Sequence, residues 1–294
     1  MTDWASLSAR GGLACHDLVG WMMWDERAKA TFAARGMPNP EAWIVAWRLA
    51  ALGDTPPSVI ASMTYSINPL IIEMVSGTVR SCMTHQQVLD ALDDAVVPGL
   101  ESVAPGLAKA LAGLADDLWR GVDAMFAGAR PMFAAFRALA RRDRDGGLSA
   151  WHAANCIREF RGDNHWAILA SEGIDDVEAG LLHSAMIDVD EYASEEWIAR
   201  SRGGDDAAIE RAWAGLEARG LASGRHLTDT GRAFRVDIER RTDEVTSPVW
   251  QEIGESTTAR FLELVEPFHE AFVERIDATA GPRWMPAVRG PRPT

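Results

Sequence analysis

Apolar residues recur along most of the chain with the three-to-four-residue spacing of a helix that buries one face. A first such segment covers about residues 13–34. Farther on, Asn39-Pro40 and Asn68-Pro69 each combine a helix-capping residue with a proline suited to the first helical turn. Short helices separated by such turns predict a compact helix-turn-helix unit in the first half of the chain.

The second half of the chain has the element order of a winged helix. Helices are predicted over about residues 148–161, 164–171, 176–187, 194–202 and 205–219. The Gly162-Asp163 step is the expected break between the first two, because glycine and aspartate favour helix ends. The segment GLASGRHLT predicts a β-hairpin with Gly224 at its turn, and LTDTGR then begins another helix.

These elements predict an all-α fold, mainly helical, with one small β-hairpin as its wing. A length of 294 residues is typical of about two domains. The most linker-like segment is RRDRDGG, residues 141–147. We therefore predict tandem domains of helix-turn-helix and winged-helix type. Residues 1–143 would form the N-terminal helical domain, and residues 144–294 a winged-helix domain with a C-terminal helix.

Two resemblances support this reading. ERAWAGLEARGLASGRHLTDTGRAFR resembles the third helix and wing of MarR-type regulators. Over nearly the full chain, the protein resembles a family of actinobacterial winged-helix or helix-turn-helix proteins, often encoded near specialised-metabolism genes. That resemblance implies more about fold than about activity. It is carried by the blocks WRLAALGDTPPSVIASMTYSINPLI, WHAANCIREFRGDNH, VEAGLLHSA and LTDTGRAFRVDIERRTDEV.

Composition restricts the partners and the location. The net charge is −14, and an acidic surface disfavours nonspecific binding to nucleic acid or to anionic membranes. No apolar run reaches the roughly 18 residues of a membrane-spanning helix, and the first residues show no secretory signal. The cysteines, Cys15, Cys82 and Cys156, are odd in number and far apart, which predicts reduced thiols in a cytoplasmic protein.

A winged helix that reads DNA places its third helix in the major groove and its wing on phosphate. The third helix, residues 205–219, carries four acidic side chains and only two basic ones. The wing offers Arg225 and His226, and on the next helix arginines such as Arg232 alternate with acidic residues. This pattern disfavours DNA as a partner. A ligand-responsive MarR-like transcriptional regulator that binds DNA is the alternative function.

Candidate chemistry concentrates in WHAANCIREFRGDNHWA. On a helix, His152, Cys156 and Glu159 fall on one stripe at positions i, i+4 and i+7. Arg158 flanks this stripe, and His165 lies just past the expected break, so it can fold back toward Glu159. The predicted catalytic residues are His152, Arg158, Glu159 and His165.

Several kinds of site fit this pattern. A histidine beside an orienting carboxylate can act as a general base on a bound small molecule. His152 and His165 can instead bind a transition metal or a haem iron, although their spacing matches no recognised metal motif. Cys156 and His152 can form a nucleophilic pair, or all these groups can be hydrogen-bonded polar residues of the core. The nucleotide-binding motifs GxGxxG and GxxxxGK are absent from the sequence.

A cavity between the two halves would bring further residues to this site. Tryptophans of the N-terminal helices can line a pocket for a flat ligand. Arg48 can anchor an anionic ligand, or pair with Glu41 or Asp54. The predicted ligand-binding residues are His16, Trp21, Trp47, Arg48, Tyr65 and His183.

The resulting prediction is a winged-helix scaffold repurposed around an inter-domain small-molecule site with a cluster of His, Glu and Arg side chains. The protein would be an enzyme, or a ligand-binding protein, of specialised metabolism. A plain interaction protein is a third possibility. The C-terminal helix predicts either a homodimer contact or closure of the core, because one of its faces is lined by Phe261, Leu262, Val265, Phe268 and Phe272.

Overall fold

The computed structural model describes residues 2–142 and 145–289, most of which are helical. Three 3-10 helices, Trp21–Trp24, Pro40–Ala42 and Ala112–Leu114, lie in the first half. The α-helices of this half are α1 (Trp4–Gly20), α2 (Glu26–Ala34), α3 (Trp43–Ala50), α4 (Pro57–Met63), α5 (Pro69–Cys82), α6 (His85–Val103), α7 (Leu107–Leu111), α8 (Ala115–Ala124) and α9 (Pro131–Ala138).

The second half begins with a long helix and contains the β-hairpin, so the predicted all-α fold class is confirmed. Its 3-10 helices are His183–Met186, Glu266–Phe268 and Pro286–Val288, and its strands are β1 (Ala222–Ser223) and β2 (His226–Leu227). Its α-helices are α10 (Gly146–Ser171), α11 (Asp176–Leu182), α12 (Val189–Tyr192), α13 (Trp197–Ser201), α14 (Asp206–Ala218), α15 (Asp229–Ile253), α16 (Glu255–Val265) and α17 (His269–Thr279).

The wing forms where the sequence predicts it. Strands β1 and β2 are antiparallel, with Ala222 opposite Leu227 and Ser223 opposite His226. The two turn residues, Gly224 and Arg225, both have positive φ angles, of 56° and 66°. Positive φ at both positions is typical of the tight turns that match the twist of a hairpin.

The local helix signals are confirmed in part. Asn39 accepts a hydrogen bond from the backbone N–H of Glu41, and Asn68 accepts one from that of Leu70, so both asparagines cap helices as predicted. The predicted first helix over residues 13–34 is wrong in one respect. It is divided by the 3-10 helix and by a capping aspartate, which begins α2.

Helix α10 is continuous, so the predicted break at Gly162-Asp163 is wrong. The Asp163 side chain does cap a helix, but not its own: it accepts a hydrogen bond of 2.9 Å from the backbone N–H of Phe133, near the start of α9. Burial raises the pKa of this carboxyl to about 7. Tertiary packing along α10 outweighs the local preference of glycine and aspartate for helix ends.

Two hydrophobic clusters share the two longest helices. The larger cluster contains the N-terminal helices together with Phe160 of α10, Trp250 of α15 and the apolar faces of α16 and α17. The smaller cluster belongs to the winged helix and contains Ile168 of α10 and Ile238 of α15. The clusters therefore divide the chain differently from the predicted boundary. That boundary falls at residues 143–144, outside the described residues, and the division into domains stays a prediction.

The apolar face of the C-terminal helices closes the core of the chain itself. Its side chains Phe261, Leu262, Val265 and Phe272 are at most 1% exposed. Closure of the core, one of the two expectations for this face, accounts for these side chains, and the homodimer stays a prediction. None of the described helices is both long enough and apolar enough to cross a membrane.

The substitution Gly162→Ala tests the continuity of α10. An added Cβ would contact only Glu159 Oε2, at 3.9 Å, so the methyl group has space. Because glycine in a helix interior is less favourable than alanine, we expect the free energy of unfolding to rise by about 0.5–1 kcal/mol. Urea denaturation measures this change. A clear loss of stability would show that Gly162 is a hinge, as the sequence alone suggests.

Candidate functional site

Polar side chains from six parts of the chain converge where α1, α10 and α15 pack against one another. We call this region the arginine–histidine cleft. Ion pairs and electrostatic coupling connect its residues across α1, α3, α10, α15 and the segments that follow α11 and α13. The cleft consists of His16, Arg48, Arg158, Glu159, Arg161, Gly162, His165, His183, Arg202, Arg235 and Glu239.

Glu159 is the central carboxylate of the cleft. Arg48 binds it through two parallel hydrogen bonds, Nε to Oε1 at 3.0 Å and Nη2 to Oε2 at 2.7 Å. Arg158 adds a third, Nη1 to Oε1 at 2.6 Å. Burial disfavours the charged carboxylate, but the two guanidinium groups outweigh burial, so the pKa of Glu159 is lowered. Of the partners proposed for Arg48 from sequence, Glu41 instead pairs with Lys29, and Asp54 with His85.

A second set of ion pairs joins α10 to α15. Arg161 Nη2 contacts Glu239 Oε2 at 2.5 Å and Asp243 Oδ1 at 2.9 Å. Arg235 Nη2 contacts the other oxygen of Glu239, also at 2.5 Å. The long Arg161 side chain passes over Gly12 of α1, where an added Cβ would lie 2.8 Å from its Cδ and Nε atoms. Glycine at this position therefore lets Arg161 reach α15.

His165 has a defined tautomer. Its Nδ1 lies 3.1 Å from Thr242 Oγ1, and the Thr242 hydroxyl donates its single hydrogen to the Ile238 carbonyl at 2.7 Å. The Thr242 oxygen can then only accept, so Nδ1 of His165 carries the proton. Nε2 is left as an acceptor, and it has no hydrogen-bond partner within the described parts of the chain. Burial, followed by the charges of Arg235, Arg161 and Arg202, lowers the pKa of His165 to about 3 against the opposing effect of Glu239.

His16 and His183 are also held neutral. Burial, and then the charges of Arg158 and Arg161, lower the pKa of His16 well below its ordinary value. The buried Nδ1 of His16 has no partner. Burial and neighbouring arginines lower the pKa of His183 in the same way. The cleft thus contains three neutral imidazoles beside charged guanidinium groups.

Side chains of the cleft are deeply enclosed but not fully packed. Burial disfavours the charged forms of Arg48, Arg161 and Glu239. Neighbouring opposite charges outweigh burial, so the pKa of each arginine is raised and that of Glu239 is lowered. Even so, these side chains keep 21%, 15% and 21% of their surface accessible. Space is also open beside Gly162 of α10, where an added Cβ would contact only Glu159 Oε2 at 3.9 Å. The inter-domain ligand cavity that the sequence predicts stays a prediction at this place.

The turn between α4 and α5 contacts the winged helix beside the cleft. Tyr65 stacks on Trp166 at 5.4 Å with an interplanar angle of 10°, and its hydroxyl donates to the Ile174 carbonyl. Asn68 donates two hydrogen bonds to the winged helix. Its backbone N–H donates to the Arg202 carbonyl at 2.9 Å, and its side-chain amide donates to the Gly203 carbonyl. The N-terminal unit therefore holds the segment that carries Arg202.

Several predicted site residues lie elsewhere. His152 bonds the Phe136 carbonyl through Nε2 at 3.0 Å, and Nδ1 lies 3.4 Å from an arginine nitrogen, so neither ring nitrogen is free. Burial lowers its pKa to about 4. Trp21 and Trp47 are fully buried in the larger hydrophobic cluster. Cys156 is also fully buried, and burial raises the pKa of its thiol, which opposes a nucleophilic thiolate.

The predicted metal pair is wrong on geometric grounds. His152 and His165 are thirteen residues apart on one continuous helix, which separates them by about 20 Å along its axis. They cannot bind the same ion. Across residues 2–142 and 145–289, no group of three or more His, Cys, Asp or Glu side chains is arranged to hold a metal.

Three cleft residues, Arg202, Arg235 and Glu239, are not among the site residues that the sequence predicts. Acidic and basic residues alternate around Arg235 and Glu239, a pattern typical of a solvated face. A signal was present in the spacing, since Arg235, Glu239 and Thr242 recur at i, i+4 and i+7 and so share one face of α15.

Two arginines on the wing and at the start of α15 have carboxylates nearby. Arg225 on the wing contacts Glu196 at 3.0 Å and Glu210 at 3.1 Å. Arg232 lies 3.8 Å from Glu195. These carboxylates lower the positive charge that the wing presents to solvent.

The comparisons give one match. A model of a helix-turn-helix family matches residues 10–279. No curated protein and no solved structure matches the chain.

The neutral histidines make stability depend on pH. An unfolded histidine titrates near pH 6.5, whereas the pKa values of His152 and His165 are about 4 and 3 in the fold. Below about pH 6.5 the unfolded chain therefore binds protons that the folded chain does not, and each histidine removes up to about 1.4 kcal/mol of stability per pH unit. Asp163 opposes this effect over the same range, because its pKa is raised.

We expect urea denaturation to show a lower free energy of unfolding at about pH 5 than at pH 7, since the buried histidines outnumber that carboxyl. Nuclear magnetic resonance of ¹⁵N-labelled histidine would show neutral rings for His152 and His165 at both pH values. A protonated His165 at pH 5 would contradict the assignment.

Proposed function

The chain belongs to this helix-turn-helix family, and from that premise we propose that it binds a small molecule in the arginine–histidine cleft. Helix-turn-helix describes the architecture and does not decide the activity, because function depends on the residues of a site. The cleft is the described region in which charged and titratable side chains of both halves of the chain converge on an internal space.

One observation carries this proposal. Arg48, Arg161 and Glu239 are enclosed by protein and still have accessible surface. A region built only for stability would fill that space with apolar side chains or close it around paired charges. An internal polar space next to unsatisfied nitrogen atoms, such as His16 Nδ1, is instead typical of a ligand site.

The same cleft can support acid–base chemistry. Nε2 of His165 is an unprotonated acceptor, with Thr242 holding the other nitrogen of its ring, and Glu159 is held in its charged form six residues earlier on the same helix. We propose that, if the bound molecule reacts, His165 takes or orients its proton. With its resemblance to proteins encoded near specialised-metabolism genes, the chain would then serve such a pathway in the cytoplasm.

DNA reading is the less favoured function, and the ion pairs of the wing allow a direct test. Because Arg225 is held by Glu196 and Glu210, we expect fluorescence anisotropy to detect no specific binding to DNA from the region upstream of the gene at moderate salt. The Arg225→Ala variant should then behave like the wild type. Specific binding that Arg225→Ala removes would favour a regulator instead.

A pair of substitutions at Gly162 tests the cleft itself. The helical positions of residues 158, 161 and 165 surround Gly162 on one face of α10, and an added Cβ there meets only Glu159. Gly162→Leu should therefore fill the space without breaking the helix, whereas Gly162→Ala should leave most of it open. The probe is a fluorine-labelled fragment set that contains anionic, neutral and cationic compounds, followed by ¹⁹F nuclear magnetic resonance.

We expect fragments of at least one charge class to bind the wild type and Gly162→Ala and to lose binding by about tenfold or more in Gly162→Leu. Circular dichroism confirms that both variants are folded. If every bound fragment binds Gly162→Leu as well as it binds the wild type, the cleft is not the binding site.

A further inference from the structure

We propose that the cleft binds a small organic oxyanion that also offers a hydrogen-bond donor, with the anionic group at Arg202 and Arg235 and the donor at Nε2 of His165. This inference rests on the proposed function and adds the chemical class of the ligand.

The first argument is the balance of charge. Five arginines, Arg48, Arg158, Arg161, Arg202 and Arg235, are coupled within the cleft. Their ion-pair partners are three carboxylates, Glu159, Glu239 and Asp243. Asp163 lies near Arg48, but its pKa is raised to about 7 by burial, so it is only partly ionised at neutral pH. The cleft therefore has an excess of positive charge.

The second argument locates that excess. Arg161 has two carboxylate partners and Arg48 has a bidentate one. Arg202, by contrast, makes no side-chain hydrogen bond or ion pair within the described residues. Burial, and then the like charges of Arg235 and Arg48, lower the pKa of Arg202 to about 10, and it stays charged at neutral pH. Within the described residues, nothing therefore competes with a bound anion for the donors of Arg202.

Arg235 supports the same location. It is 2% exposed, and Nη2 binds Glu239, but its Nη1 is buried without a hydrogen-bond partner. An unsatisfied guanidinium nitrogen on a buried side chain is costly unless something occupies its donor direction. Glu239 Oε1, which Arg235 contacts, also lies 4.0 Å from Nδ1 of His165, so Arg235 and His165 are neighbours. The charge of Arg202 contributes to the lowered pKa of both His165 and His183, so Arg202 acts within the same cleft.

Guanidinium groups select the chemistry of the anion. Their planar donors match the oxygen atoms of a carboxylate or a phosphate, to which they form charge-assisted hydrogen bonds. The net positive charge of the cleft would repel a cationic ligand. Glu159, the carboxylate most suited to bind a cation, already accepts three hydrogen bonds from arginines. Oxyanions are therefore favoured over cations and over neutral molecules.

His165 adds a requirement for a donor. Thr242 fixes the proton on Nδ1, so Nε2 can only accept. A ligand that carries a hydroxyl or N–H group next to its anionic group would satisfy Nε2 and Arg202 together. A simple alkyl acid would satisfy the arginine alone.

The experiment uses defined probes and a matched pair of arginine variants. Propionate, lactate, inorganic phosphate, propanol and propylamine are titrated by isothermal calorimetry into the wild type, Arg202→Gln and Arg200→Gln. Arg200 is the control because it lies two residues away, is 40% exposed and pairs with Glu196 and Asp206 outside the cleft. Propionate and lactate test carboxylates and inorganic phosphate tests phosphates, so the titrations distinguish the two kinds of oxyanion.

We expect an oxyanion to bind the wild type and Arg200→Gln alike, and to bind Arg202→Gln about tenfold or more weakly. Because Arg202 has no partner to lose, Arg202→Gln should keep or exceed the stability of the wild type. Propanol or propylamine binding better than the oxyanions, with loss in Gly162→Leu, would overturn the inference and leave the proposed cleft in place. Absence of binding by every oxyanion would also overturn it, and the fragment experiment then decides the cleft separately.

A separate measurement tests whether the ligand donates a hydrogen bond to Nε2 of His165. Lactate and propionate differ by one hydroxyl group, so lactate should bind more tightly, and His165→Leu should abolish that difference. In ¹⁵N-histidine spectra of the wild type, lactate should shift the Nε2 resonance of His165 more than propionate does. Equal affinity for the two acids together with equal shifts would show that His165 does not contact the ligand.

Discussion

The architecture depends on one buried carboxylate. Glu159 is 1% exposed and accepts three hydrogen bonds, from Arg48 on α3 and Arg158 on its own helix. Removing such charges from water costs several kcal/mol per ion, and only near-ideal geometry offsets that cost. Because Arg48 and Glu159 come from opposite halves of the chain, this ion pair fixes the distance between the N-terminal unit and α10. The polar cleft lies beside this contact.

The arginines of the cleft differ in whether they have a carboxylate partner. Arg161 and Arg48 have carboxylate partners at hydrogen-bonding distance, so their own charges are balanced. Arg202 has no such partner within the described residues, and one nitrogen of Arg235 has none. Unsatisfied groups persist where a site needs them for something other than folding. The unpaired cations therefore bear on the class of ligand, while the accessible surface of the paired side chains bears on whether a ligand binds.

What the sequence could predict was local. Helix caps at Asn39 and Asn68 and the hairpin turn depend on neighbours within a few residues, and the structure confirms them. The predicted helix break at Gly162 is wrong because sequence alone does not distinguish a glycine beside open space within a helix from a glycine that ends a helix. His152 and Glu159 do share a stripe, but seven residues separate them by about 10 Å along the axis. Their surroundings therefore differ, and periodicity alone cannot decide which member of the stripe faces a cavity.

On the proposed function, the distribution of charge would favour a small anion over DNA. The protein has a net charge of −14, and Arg225 of the wing is paired with carboxylates. That net charge disfavours nonspecific binding of a polyanion such as DNA. A small anion inside the cleft is surrounded by arginines at short range, while the outer charges are screened over about 8 Å at physiological ionic strength. On this proposal, the size of an anion determines whether it can reach the positively charged cleft of this acidic protein.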